Sequence, residues 1–263
     1  MTVASARLLE ADEPSPVEVL NPEGRSMFLL TGDHAGRRLP RALGSLGLSE
    51  HELSRHIAVD IGVAGLARHL ARELDACAIL QTYSRLAIDC NRPLGSPESI
   101  ASLSELTPIP GNRNPSAHDV RARQSEIFAP YHSRITAELD RRAQAGHATL
   151  LVMLHSFTPS FLGVARPWHV GVLYHRDARL AKALLTLLRQ QGDLVVGDNQ
   201  PYSAGEDTDY AVPVHGERRG LPYVELELRQ DLLDDEVSQH RWAARLAPLL
   251  QQAQFSAMPN AAC

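Results

Sequence analysis

The chain has 263 residues, 44% of them hydrophobic and 22% charged, with a net charge of -5 at pH 7. That length supports one large domain with a real core, and an acidic balance without a lysine-rich run argues against nucleic acid or an anionic membrane as partner. Cys77, Cys90 and Cys263 are too few and too scattered for a disulfide framework or a zinc knuckle, and with no signal-peptide or transmembrane pattern near the N-terminus they fit a reduced, cytoplasmic protein.

Residues 1–16 are polar and proline-punctuated and are expected as a loose arm. Val17-Glu18-Val19-Leu20 predicts a short edge strand, and the turn Asn21-Pro22-Glu23-Gly24 leads into a core strand over Ser26–Thr31. That strand delivers His34 into a loop broken by Gly32, Gly36 and Pro40. Ser49 and Glu52 form a capping-box pattern, predicting a helix to about Leu74 with Asp60 beside its apolar stripe. Cys77–Asp89 predicts the next strand, stopped by Pro93, and a long polar loop follows to Pro115. Ser116 and Asp119 open a helix to about Gln144 that Pro130 should kink or split.

Strand Thr149–His155 repeats the first motif, an apolar run with a histidine at its end and a breaker soon after. His169–Tyr174 is predicted as a strand, Asp177–Arg189 as a helix and Leu194–Val196 as a short apolar piece. A polar loop over Gly197–Gly220 precedes strand Leu221–Arg229 and a last helix from Asp235 through Trp242 and Leu250, with residues 253–263 expected to fray. The alternation predicts one α/β domain over residues 17–252, three-layered, with a mixed or parallel central sheet flanked by helices.

In open α/β sheets ligands bind at the strands' C-terminal edge, where His34 and His155 are both delivered. One strand-end histidine is ordinarily structural; two with the same placement equally fit a metal or acid–base site. Asp60 fits a cap or ion pair as well as a ligand. Asp89-Cys90-Asn91-Arg92 combines an acid, an amide and a guanidinium suited to a carboxylate, although an Asp–Arg pair holding the loop has the same sequence. Alternation puts Glu225, Glu227 and Arg229 on one face of their strand, as a salt-bridge ladder or as a base with a substrate anchor. The loop from His215 to Gly220, with Arg218 and Arg219, is either solvated or part of a site. Lys182 is the sole lysine and lies in an amphipathic pattern, so Schiff-base and P-loop chemistry fall away and arginine must bind any anion. Neither a Gly-x-Ser-x-Gly elbow nor a Gly-x-Gly-x-x-Gly fingerprint occurs.

Taken together, Gly32-Asp33-His34-Ala35-Gly36, His56-Ile57-Ala58-Val59-Asp60-Ile61-Gly62, Ser84-Arg85 through Asp89-Cys90-Asn91-Arg92-Pro93, Leu154-His155-Ser156-Phe157-Thr158-Pro159 and Glu225-Leu226-Glu227-Leu228-Arg229-Gln230-Asp231 resemble the N-formylglutamate amidohydrolase family. The likeness keeps its order from about Val17 to Leu250. It implies a fold similar to that of the zinc exopeptidases, the group that includes carboxypeptidases and aspartoacylase. The implied activity is hydrolysis of a small-molecule N-acyl amino acid such as N-formylglutamate, with Zn2+ or another divalent metal as cofactor.

In that wider group the first metal motif is His followed three residues later by Glu. His34 matches, Arg37 stands in the Glu position, and Asp60 becomes the candidate third ligand, with a supporting role as its alternative. By the same resemblance His155 is the remaining ligand, Glu227 the general base, and Asp89, Asn91 and Arg92 the binders of the substrate carboxylate. Arg85, His215, Arg218, Glu225 and Arg229 complete the candidate substrate-binding set. A zinc carboxypeptidase, a deacylase for another N-acyl amino acid, and a non-catalytic binder of small anions, kept open by Arg37, are the alternatives.

Overall fold

A computed structural model describes residues 7–258. Seven strands form one sheet: β1 (Val17–Leu20), β2 (Phe28–Gly32), β3 (Cys77–Gln81), β4 (Leu150–Phe157), β5 (Val170–Leu173), β6 (Val196–Asp198) and β7 (Tyr223–Arg229), in the order β1-β3-β2-β4-β7-β5-β6. β3, β2, β4 and β7 run parallel, while β1 and β5 lie antiparallel to their neighbours β3 and β7. The mixed, mostly parallel sheet expected from the sequence is therefore present, and its four parallel strands end at one edge.

The helices are α1 (Glu50–Leu53), α2 (Val63–Leu74), α3 (Ala117–Arg123), α4 (Ala129–Gln144), α5 (Arg179–Gln190) and α6 (Glu236–Ala257). α2, α5 and α6 bury Leu66, Leu70, Leu184 and Leu246 against Leu30, Leu80, Val152 and Leu226 on one face. On the other, Tyr131 and Ile135 of α4 cover Leu29, Ile79, Leu151 and Met153. Each such large side chain contributes about 1.5–3 kcal/mol by leaving water. Period-two alternation does the rest: Val224, Leu226 and Leu228 enter the first core, so Glu225 and Glu227 face the α4 side.

Three boundaries differ from expectation. The helix expected from Ser49 to Leu74 breaks after Leu53 and restarts at Val63. The first piece closes at Ser54, whose N–H donates to Glu50 O, and Gly62, at φ +81° where a Cβ would lie 2.3 Å from Leu233 Cβ, caps the start of the second. Asp60 thus sits in the turn before α2, its N–H donating to His34 O at 3.0 Å. β3 stops at Gln81, not Asp89, because Gln81 Oε1 accepts the N–H groups of Thr82 and Tyr83 and turns the chain.

The helix opened by Ser116 is interrupted just before Pro130, in line with the kink or split expected there. A π-helical turn over Gln124–Phe128 precedes Pro130, which has no N–H to give and sits in the first turn of α4. α6 continues to Ala257, past the point where fraying was expected. Near the other end Leu8 is buried, and the N–H groups of Leu8 and Leu9 each donate to the Glu126 carboxylate at 2.9 Å. Residues 1–6 of the expected arm and 259–263 of the expected tail lie outside the described residues. Among the described residues no helix is long and apolar enough to cross a membrane.

Candidate metal centre

At the shared C-terminal edge, the loop after β2 presents Asp33 and His34, the turn before α2 presents Asp60, and β4 presents His155. One ligand atom from each of His34, Asp60 and His155 lies within 4.8 Å of the other two, and all three residues are buried. Both histidines turn Nδ1 toward the same oxygen, Asp60 Oδ2, at 3.5 Å from His34 and 3.0 Å from His155. Zinc–ligand bonds of about 2.0–2.2 Å give a tetrahedral site an edge of roughly 3.3 Å. The two spacings match ligands on a common ion.

The far ring nitrogens each face a further aspartate. His34 Nε2 lies 2.7 Å from Asp89 Oδ1, and His155 Nε2 lies 4.0 Å from Asp33 Oδ2. The Asp89 hydrogen bond fixes the His34 ring and its tautomer and leaves Nδ1 to a metal, whereas Asp33 stands too far from His155 Nε2 for a hydrogen bond. His34 Nδ1 is buried with no hydrogen bond, as is His155 Nε2. His155 Nδ1 makes one, with Asp60 Oδ2. The donor set, two imidazoles and a carboxylate with Asp89 hydrogen-bonded behind the His34 ring, fits zinc.

Burial alone would raise Asp60, yet the His34 and His155 rings beside it hold it well below the usual carboxylate range. Asp89 is likewise depressed against its burial, chiefly by Arg85 and then by His34. Arg85 donates to Asp89 Oδ2 from Nε at 3.0 Å and Nη2 at 2.7 Å, and its Nη1 lies 3.4 Å from Asp60 Oδ1. Arg85 therefore braces both carboxylates, Asp89 and Asp60. His155 is raised, against its burial, by the Asp60 hydrogen bond and the charge of Glu225.

Glu227 pairs in register with His155, and both Glu225 and Glu227 are buried with Oε2 unpartnered. Burial pushes Glu227 up to about 7, with His155 pulling the other way, and burial likewise raises Glu225 well above the usual carboxylate range. The other expected residues are engaged elsewhere. Asn91 Nδ2 donates to Asp209 at 3.1 Å, and its Oδ1 accepts the N–H groups of Tyr210 and Ala211. Arg92 donates from Nε to Glu98 and from Nη1 to the carbonyls of Asn91 and Thr208. Arg229 pairs with Asp231 at 2.8 Å. Arg218 is exposed and lines a surface cavity with Arg176, Lys182 and Glu206.

His215 Nε2 lies 2.9 Å from His132 Nδ1, and His132 Nε2 donates to Cys90 O at 2.8 Å. Burial lowers both, His132 to about 3 and His215 to about 4. Arg37 is exposed, so the carboxylate beside the two histidines comes from Asp60 and not from the fourth residue of the first motif.

Sequence reasoning missed three residues at this edge. Asp33 was visible only as a neighbour of His34; it accepts Tyr131 Oη–H at 2.5 Å and faces His155. Arg166 and Tyr202 come from polar loops with no recognisable pattern, and Arg166 Nη1 donates to Tyr202 Oη at 3.0 Å.

The profile of the N-formylglutamate amidohydrolase family matches residues 26–233. N-formylglutamate deformylase of Pseudomonas putida is 34% identical over 139 residues, or 49% of this chain and 51% of that protein, so the match spans about half of that relative's length. Among solved structures, gene product Atu2144 from Agrobacterium tumefaciens is 35% identical with a TM-score of 0.92, covering 95% of this chain and 99% of that one. N-formylglutamate amidohydrolase from Ralstonia eutropha JMP134 shares the fold at 19% identity, with a TM-score of 0.68 and coverage of 92% and 98%. The profile match takes in the segments that supply His34, Asp60, Asp89, His155 and Glu227, and the chain belongs to the N-formylglutamate amidohydrolase family.

Proposed function

We propose that this chain is a metal-dependent amidohydrolase that removes a formyl or similar small acyl group from an acidic amino acid such as glutamate. His34, Asp60 and His155 would hold zinc or another divalent ion, with Glu227 as general base. The observation that carries the reading is the convergence of two histidine Nδ1 atoms on one Asp60 oxygen, next to a buried glutamate whose own oxygen has no partner.

A divalent ion in this set supplies Lewis acidity toward the amide carbonyl and acidifies water beside it. The residues of the chain do the rest. Glu227, poised near neutrality, takes a proton from the attacking water and delivers it to the leaving nitrogen as the acyl carbon–nitrogen bond breaks and the water oxygen bonds to that carbon. Asp89 holds His34 in the tautomer with Nδ1 free, and Arg85 holds Asp89. The family membership supports hydrolysis of a linear amide, and the relative's name supports a formyl group on glutamate.

The test is amine release from a panel of N-formyl and N-acetyl amino acids by the purified chain, with and without chelator. Release from N-formyl-L-glutamate, abolished by chelator and restored by zinc, is expected. No release from any N-acyl amino acid by zinc-loaded protein would overturn the reading.

A further inference from the structure

We propose that Arg166 is the residue that binds a carboxylate of the substrate, which rests on the amidohydrolase reading above and names how its substrate is recognised. Arg166 is only 9% exposed, yet among the described residues no carboxylate pairs with it. The other arginines at this edge that are not exposed are occupied: Arg85 by Asp89, Arg92 by Glu98 and two carbonyls, Arg229 by Asp231. Arg123 is also buried without an acid, but Ala87 O and Asn112 Oδ1 take up its Nη1.

The Arg166 guanidinium instead sits among aromatic rings, its Cζ 4.7 Å from the centroid of Phe161, 4.9 Å from Tyr202 and 5.9 Å from Phe157. Rings hold a guanidinium in a fixed plane without neutralising it. A buried cation lacking a counter-charge is costly, and a planar fork of donors is shaped for a carboxylate. Nη1 is bonded to Tyr202 Oη, which leaves the rest of the fork for a ligand.

Position ties this cation to the reacting centre. Phe157 lies two residues beyond His155 on β4, hence on the same face. The loop carrying Tyr202 comes down beside Glu227 because Gly171, which pairs with Glu227 across β5, has no side chain: a Cβ there would lie 2.0 Å from Gln200 O and 3.3 Å from Glu227 Cβ. Tyr202, 43% exposed, is the side of the cage open to solvent. An N-acyl amino acid with its amide at Glu227 has its carboxylate a few bonds away, on the side where Arg166 waits.

The experiment compares wild type with Arg166→Gln and Arg166→Lys, the lysine variant keeping the charge and stem should the glutamine variant fold poorly. Two readouts are used: KM and kcat for N-formyl-L-glutamate, and calorimetric binding of glutarate, a dicarboxylate with no amide to cleave. Both variants should raise KM and weaken glutarate by roughly 10- to 100-fold, the usual worth of hydrogen bonds to a charged group, with kcat within about threefold. N-formyl-L-glutamine and N-formyl-L-isoglutamine then tell which carboxylate is read, because the substrate already lacking it should be insensitive to the variants. Glutarate affinity and KM within about threefold of wild type in both variants would overturn the assignment while leaving hydrolysis standing. Weakened glutarate binding in a protein that hydrolyses no N-acyl amino acid would keep the anion site and remove the amidohydrolase reading.

Discussion

Replacing Asp89 by asparagine probes the support of the proposed metal centre without touching a proposed ligand. Asp89 Oδ1 takes His34 Nε2 at 2.7 Å and the Asn91 N–H at 2.9 Å, while Oδ2 takes two donors of Arg85 at 3.0 and 2.7 Å. An amide has one acceptor oxygen and must choose. If the oxygen stays toward His34, its NH2 opposes the guanidinium and two charge-assisted hydrogen bonds are lost, at about 1.5–3 kcal/mol each. If it turns to Arg85, its NH2 meets His34 Nε2 and drives the ring proton to Nδ1, the atom that faces Asp60.

The second arrangement keeps the stronger bonds and should dominate. Zinc affinity should then fall roughly 10- to 100-fold, the usual cost of losing a carboxylate behind a ligand histidine. Competition against a chromophoric chelator at fixed pH measures it. The metal-free protein should also melt lower, by about 2–4 °C for each kcal/mol lost in a chain of this size. Zinc affinity within about threefold of wild type, alongside a lowered Tm, would mean that Asp89 merely braces Arg85, and the argument from tautomer would fail.

Glu227→Gln should retain zinc and much of the substrate affinity while kcat falls by roughly 10²–10⁴-fold, with a much smaller loss in Glu225→Gln; zinc lost from Glu227→Gln would instead make Glu227 a ligand. Glu138, 2% exposed, is bonded by Arg141 and Arg142 and, against its burial, held down from 4.5 to about 2, a drop worth about 3 kcal/mol. Because the folded value is the lower one, this stabilisation is present above about pH 4.5 and disappears as the pH falls through about 2. Urea unfolding of Glu138→Gln should therefore differ from wild type at pH 7 and converge with it near pH 2; an equal gap at both pH values would contradict this. Gly62→Ala forces a left-handed residue and a Cβ onto Leu233, so a loss of about 2–5 kcal/mol with weakened zinc binding is expected, and an unchanged Tm would refute it.

Much of the edge was legible because local rules govern it. An apolar run ending in a breaker reports a strand terminus, so His34 and His155 could be placed from the sequence, and period two put Glu225 and Glu227 on one face. What stayed hidden depends on distant contacts. The apolar spacing through Leu53, Ile57, Ile61 and Leu66 continues across the break before α2, and the left-handed Gly62, packed on Leu233 far along the chain, starts the helix again only at Val63. That break lets Asp60 swing from a helix flank to the two histidines. Arg166 was invisible because its meaning comes from rings on three separate segments and from the absence of an acid, neither of which a linear pattern records.

The central claim is that His34, Asp60 and His155 hold one divalent ion on which hydrolysis depends. Calorimetric titration of zinc into metal-free chain tests it most directly, run beside Asp60→Ala. One tight equivalent per chain, lost or greatly weakened in the variant, is predicted. Absence of tight binding in wild type, or an unchanged isotherm in Asp60→Ala, would contradict it.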